Sequence, residues 1–350
     1  MASKTHSETE LKGTAYSILD LAIISKGNSL QQTFNQSVAL AKVGDTEGYS
    51  RYWLAEHHNS DAIGSSATVV LIGKIAEATE RIRVGSGGIM LPNHSPLIIA
   101  EQFGTLGTLY PNRIDLGLGR APGTDQATAN EIRSDFYQAS MSFPTEIEKI
   151  QRYFSTNNAT EKVRANVAEG VDVPLYILGS STDSAHLAAK KGLAYAFASH
   201  FSTGQLINAL QIYREEFQPS SALEKPYTLA GVNVIVADTD KEAEHISTTL
   251  YTRVIGILTG NRGKLVAPFK MTDEFRETIQ QPALQQMAKY AFIGSKATVK
   301  KGIKAFIATT QVDELIAVTN VYSSSDRIKS YQLFAEIMRE LNEEALDSKY

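Results

Sequence analysis

The chain has no cysteine and a single tryptophan in 350 residues. Without thiols it forms no disulfide, no thiolate metal site and no cysteine nucleophile. That suits a reducing, cytoplasmic home. It also lacks an excess of either charge. Its 34 basic side chains against 38 acidic ones leave a formal net charge of -4, too balanced for a nucleic-acid-binding surface. No stretch approaches the roughly 18 consecutive apolar residues of a membrane span. The opening MASKTHSETELKG is polar and has no apolar centre of a secretory signal. No Pro- or Gly-rich linker interrupts the rest, so residues 1–350 read as one domain, with 43% hydrophobic side chains to build its core.

What is present is an alternation. Short apolar segments at 14–22, 51–56, 83–91, 113–121, 173–181, 193–201, 227–237 and 312–322 read as strands. Between them lie helical patterns: 29–48, with Leu30, Phe34, Val38 and Ala41 on one face, then 65–82, 95–111, 183–192, 204–217 and, after the last strand, 327–341. Two further helical patterns occupy 125–155, and 238–310 is mostly helical around a glycine-bearing segment at 259–270. Helical crossovers favour parallel strands covered on both faces. Eight such units predict an α/β fold, a closed (β/α)8 TIM barrel, with an insertion before its last strand. The 259–270 segment reads as a lid over the mouth or as a plain surface loop.

In such a barrel the useful residues gather where strands end. Glu56, His57 and His58 stand where strand two enters its loop. A functional role for at least one of the two histidines is expected. A metal site is not, because EHH lacks the HExxH spacing. Strand three, RVGSGGIML, carries Gly85, Gly87 and Gly88. Either a planar ring lies against that backbone or barrel curvature demands the glycines. Arg120 leaves strand four among small residues, with a donor fork suited to phosphate or carboxylate. After strand five, LGSSTDS offers Gly179, Ser180, Ser181 and Ser184 before a helix start, as a phosphate cradle or as ordinary helix capping. Asp20, Asn93, His94, His200, Asn320 and Tyr322 are further candidates for the mouth. Together these residues suggest a phosphorylated planar cofactor.

At YWLAEHHN (52–59), IRVGSGGIMLPNHSPLIIAEQFGTLGTLYPNRIDLGLGRAPG (82–123) and VPLYILGSS (173–181), the chain resembles the bacterial luciferase-like flavin monooxygenases, in their single-chain oxidoreductase branch. The resemblance implies a TIM barrel that uses reduced FMN and O2 on a small organic substrate, with FMN reduced by a separate NAD(P)H-dependent reductase. It gives the catalytic role to His57 and a non-proline cis peptide to Gly87–Gly88, which it places opposite the flavin ring as part of the cofactor-binding set. It assigns phosphate binding to Arg120 and to Ser180, Ser181 and Ser184 with Gly179, and it groups Glu56 with the cofactor-binding set. Luciferase's α subunit has a reactive cysteine where this chain has Gly119, so light emission is not expected. A homodimer is expected, with helices 65–82 and 95–111 as candidate contacts. Two other readings stay open: an F420-dependent dehydrogenase of the same superfamily, and a non-catalytic flavin-binding protein.

Overall fold

A computed structural model describes residues 13–347; the polar opening stretch lies outside the described residues. The strands are β1 (Ala15–Asp20), β2 (Arg51–Leu54), β3 (Arg83–Met90), β4 (Ile114–Gly119), β5 (Leu175–Gly179), β6 (Ala194–Phe197), β7 (Thr228–Ala237), β8 (Ala291–Ser295) and β9 (Glu314–Val318). All pair in parallel. The order runs β1 through β7 side by side, and β9 returns between β7 and β1, closing an eight-stranded barrel. The TIM barrel expected from the alternation is therefore the fold.

Among the described residues, thirteen α-helices accompany the strands. They are α1 (Leu30–Thr46), α2 (Thr68–Ala78), α3 (Pro96–Leu109), α4 (Gln126–Ile132), α5 (Phe136–Met141), α6 (Phe143–Phe154), α7 (Thr182–Lys191), α8 (Leu206–Glu216), α9 (Asp240–Thr259), α10 (Asp273–Ile279), α11 (Pro282–Met287), α12 (Lys296–Thr310) and α13 (Ser324–Asp347). The start of α1 shows how local sequence sets a boundary. The Ser29 hydroxyl accepts from the Gln32 N–H at 3.2 Å, and the Gln32 side chain accepts from the Ser29 N–H at 2.8 Å. That reciprocal pair satisfies two N–H groups the helix leaves open.

Two features differ from the sequence expectation. Residues 125–155 hold three helices, α4, α5 and α6, rather than two. The insertion before the last strand also contains β8, which pairs with Asn233–Ala237 on the far half of β7. β8 has only five residues, mostly half-buried, with no in–out alternation to mark it. It exists because β7, buried along all ten residues, extends beyond the reach of β6.

Side chains alternate across the barrel wall. Tyr52 and Leu54 face the helices in the large outer core, whereas Leu19, Trp53, Leu229, Ile316 and Val318 fill the interior. Below them a buried ionic layer plugs the N-terminal end. Arg51 donates from Nε to Glu314 at 2.7 Å and from Nη1 to Asp115 at 2.8 Å and to the Tyr176 hydroxyl at 2.7 Å. Trp53 Nε1 also donates to Asp115, at 3.0 Å, and the Ser17 hydroxyl donates to Glu314. The closed floor leaves the opposite, C-terminal end as the open face on which strand-end residues converge. Asp20 is not among them. It points outward, where Ser37, Tyr52, Arg327 and the Ala22 N–H take its oxygens.

The glycines of β3 answer the question the sequence left open. A Cβ at Gly85 would lie 2.3 Å from the Asp115 carbonyl, and one at Gly88 would lie 2.8 Å from the Gly117 carbonyl. At Gly87 it would lie 2.8 Å from Leu19 and 3.1 Å from Trp53. Close packing of the wall explains why each of the three is a glycine. The Gly87–Gly88 peptide is cis.

Candidate active site

The site is built around a carboxylate. Glu56 is buried at the end of β2, and four donors fill its oxygens. Oε1 accepts from His58 Nε2 at 2.8 Å, Asn93 Nδ2 at 3.1 Å and His94 Nε2 at 2.9 Å, and Oε2 accepts from the Met90 N–H at 2.9 Å. Burial alone would raise its pKa, but the bonds from His58 and His94 and the charge of His94 hold it at about 2. Glu56 therefore joins the loops after β2 and β3 and has no oxygen open to the mouth.

His57 faces the other way. Its Nδ1 lies 3.0 Å from the Gly123 carbonyl, and its N–H donates to the Ser65 carbonyl at 3.2 Å. A carbonyl only accepts, so Nδ1 carries the proton. Nε2 has no partner among the described residues. Burial lowers the pKa of His57, opposed by the bond to Gly123 and reinforced by the charge of Arg253. Gly123 itself is held by the β2 loop. Its carbonyl also accepts from the His58 N–H at 3.3 Å, and its φ of 66° lies in the left-handed region.

A second cluster lies at the ends of β4 and β5. The α7 N-cap, Ser181, makes no side-chain cap bond. Ser180 and Ser181 hydroxyls have no partner among the described residues. Arg120 is half exposed, and its nearest carboxylate is Asp183 at 3.5 Å; an exposed, stretched pair of this kind contributes little. Ser184 departs from the expectation. Its hydroxyl donates to the Ser181 carbonyl at 2.7 Å and meets the Tyr195 hydroxyl at 3.0 Å. A Cβ at Gly179 would collide with that hydroxyl. Gly179 is thus a glycine because Ser184 packs beneath it, and Ser184 supports the turn from inside.

A third group lies after β6, midway along β7 and after β9. The His200 ring abuts Gly231 of β7, and its Nδ1 is buried without a partner. Asn233 donates to the His200 carbonyl at 2.5 Å, and Asn320 donates to Asn233 at 3.3 Å, leaving Asn320 Oδ1 buried and unpartnered. Burial, with the nearby His57 and Arg253, lowers the His200 pKa to about 4. Arg253, on α9, escapes a reading of strand ends because it is not on one. The only sequence signal is negative: no acid stands three or four residues away from it. Tyr322 turns aside, donating to the Lys26 carbonyl at 2.8 Å.

Comparison with known proteins follows the same lines. The family model for luciferase-like monooxygenases matches residues 14–314. An Escherichia coli luciferase-like monooxygenase is 42% identical over 330 residues, covering 94% of this chain and 98% of its own. The Bacillus subtilis N-acetyl-S-alkylcysteine monooxygenase is 31% identical, covering 91% and 97%. Among solved structures, apo-MsnO8 superposes with a TM-score of 0.85 at 30% identity, covering 93% of this chain and 98% of that one. Fold and sequence agree, and the chain belongs to the luciferase-like monooxygenase family.

Proposed function

We propose that the protein is a reduced-FMN-dependent monooxygenase acting on a small organic molecule with O2. One observation carries the reading. A half-buried, Nδ1-protonated His57 keeps Nε2 open at the same barrel mouth that bears Arg120 and the uncapped start of α7. A phosphate dianion fits that second cluster, since the Arg120 guanidinium, the Ser180 and Ser181 hydroxyls and the α7 N-terminus all favour negative charge. A structure of similar fold, with a TM-score of 0.70 and 17% identity, was solved in complex with FMN; at that identity it speaks for the barrel alone.

Bound reduced flavin would supply the activation of oxygen. The chain's own residues do the remainder. Neutral His57 accepts at Nε2 and returns a proton from the same atom, while Gly123 fixes the ring. Glu56 acts as a positioning residue through His58, His94 and the loop after β3. Ser184 and Gly179 shape the α7 turn from which Ser180 and Ser181 reach the phosphate. At Gly119 a Cβ would lie 3.0 Å from Met90 Cε, so this chain carries neither a thiol there nor ready room for one, and we assign it no light emission. We read the segment 259–270, bridged through Leu265 to Ser25, as a cover on the β1 side. Exposed Val70 on α2 and Ile98 and Leu109 on α3 support a homodimer through those helices. A separate reductase and a cytoplasmic setting complete the proposal. Among the described residues, no helix is long and apolar enough to cross a membrane.

Anaerobic titration with reduced FMN, reduced riboflavin and reduced F420, followed by air, tests it. Reduced FMN should bind more tightly than reduced riboflavin, Arg120→Gln should cut that preference about tenfold, and air should be consumed with substrate oxygenation. Preference for F420 without oxygen uptake would mean hydride transfer instead; flavin binding without turnover on any substrate would mean carriage.

A further inference from the structure

The mouth carries a positive charge that the flavin reading does not use. Arg253 is half-buried on α9, and among the described residues it makes no ion pair and no hydrogen bond. Its charged neighbour is Arg262, a second cation, also without a counter-ion among the described residues. Burial and Arg262 together lower the Arg253 pKa to about 10, so the guanidinium stays charged at neutral pH. A desolvated cation left without an anion is costly, and proteins normally pair such groups.

Where α9 lies gives that charge an address. Thr249 donates to the Val266 carbonyl at 2.9 Å, and Leu265 bridges to Ser25 in the loop after β1. The last turns of α9 therefore run over the open end of the barrel. The charge of Arg253 acts on both His57 and His200. Arg120 and the α7 start, on the β4–β5 side, have Asp183 beside them; Arg253 has no acid. Next to His200, the chain Asn233–Asn320 ends in a buried Oδ1 that accepts from nothing, and His200 Nδ1 is likewise unpartnered. The cation thus stands near the His57 and His200 imidazoles, with no acid paired to it among the described residues.

We infer that Arg253 is a specificity-determining residue for an anionic substrate, binding the carboxylate of a small organic acid. This deepens the monooxygenase reading and rests on it for the word substrate. The anion site itself is a property of the flavin-free chain.

Hexanoate and its neutral isostere hexanamide, titrated separately into flavin-free protein labelled with nitrogen-15 at histidine, make the test. Hexanoate should shift the His57 and His200 ring resonances and bind about tenfold or more tightly than hexanamide. Arg253→Gln should remove that preference, and Arg253→Lys should restore part of it. Absence of hexanoate binding to the wild type, or an unchanged preference in Arg253→Gln, overturns the inference. FMN and riboflavin titrations of the same variant separate the two anions. If Arg253→Gln loses the preference for FMN over riboflavin, the guanidinium serves the flavin phosphate and the inference falls. Failure of all forms to bind FMN would strike the proposed function, while the hexanoate result would still stand or fall alone.

Discussion

His57 holds its Nδ1 proton on the carbonyl of Gly123, 3.0 Å away across the loops that follow β2 and β4. The bond decides which nitrogen faces the mouth. Since burial also lowers the His57 pKa, the imidazole is neutral at pH 7, with an open acceptor at Nε2.

Turnover should then stay level as pH falls to 6.5, the ordinary histidine value, and decline only below it. Steady-state rates between pH 5 and 9 check this. His57→Asn should lower kcat about 100-fold or more and abolish the acidic limb, with flavin affinity little changed. An unaltered limb in the variant would assign it to another group.

Gly123→Ala should damage both stability and catalysis. Its left-handed φ is strained for alanine, and the new Cβ would lie 2.6 Å from the Glu56 carbonyl oxygen. The cost is about 1–3 kcal/mol, read as a lower urea midpoint. The loop must also move, so the His57 ring should lose its tether and the acidic limb should shift. Wild-type stability and pH profile together would refute this account.

Arg51→Met should be among the most damaging changes in the barrel. It leaves the fully buried Glu314 without its cation and the fully buried Asp115 with Arg83 as its remaining one. Breaking one partner out of such a buried network costs about 3–5 kcal/mol. Equilibrium unfolding measures it, and a loss under about 1 kcal/mol would mean that water or a proton compensates for the missing guanidinium.

Stability should rise with pH between 4 and 6.5. The folded-state pKa of His200 is about 4 against an ordinary 6.5, so in that window the unfolded chain binds the extra proton. The contribution is complete above 6.5 and is lost as pH falls through 4. Glu56 acts lower down: its stabilisation is complete above 4.5 and is lost as pH falls through about 2. His200→Asn should flatten the slope between 6.5 and 4.5, leaving what His57 adds in the same direction. An equally steep slope in the variant would point to other groups.

The sequence by itself determined the barrel. Apolar segments of strand length, spaced by amphipathic helices, admit few arrangements, because parallel strands need crossovers and both faces need cover. It also singled out His57, Arg120, Ser180 and Ser181 as candidates, since strand ends in this fold open onto one mouth. β8 was not legible, because a five-residue, half-buried segment carries no period to read.

Tertiary structure alone decided which neighbour faces where. Glu56, His57 and His58 are consecutive, yet Glu56 turns inward to His58 and His94 while His57 turns to Gly123, a carbonyl 66 residues along the chain. Ser184 looked like a ligand contact, but its hydroxyl is taken by Ser181 and Tyr195. Asp20 looked like a mouth residue and lies outside the wall. Arg253 left no positive mark in the sequence, because its meaning lies in the absence of an acid around it. Composition and period report what a segment can bury; only packing of distant segments fixes which polar atoms are satisfied and which are left for a ligand.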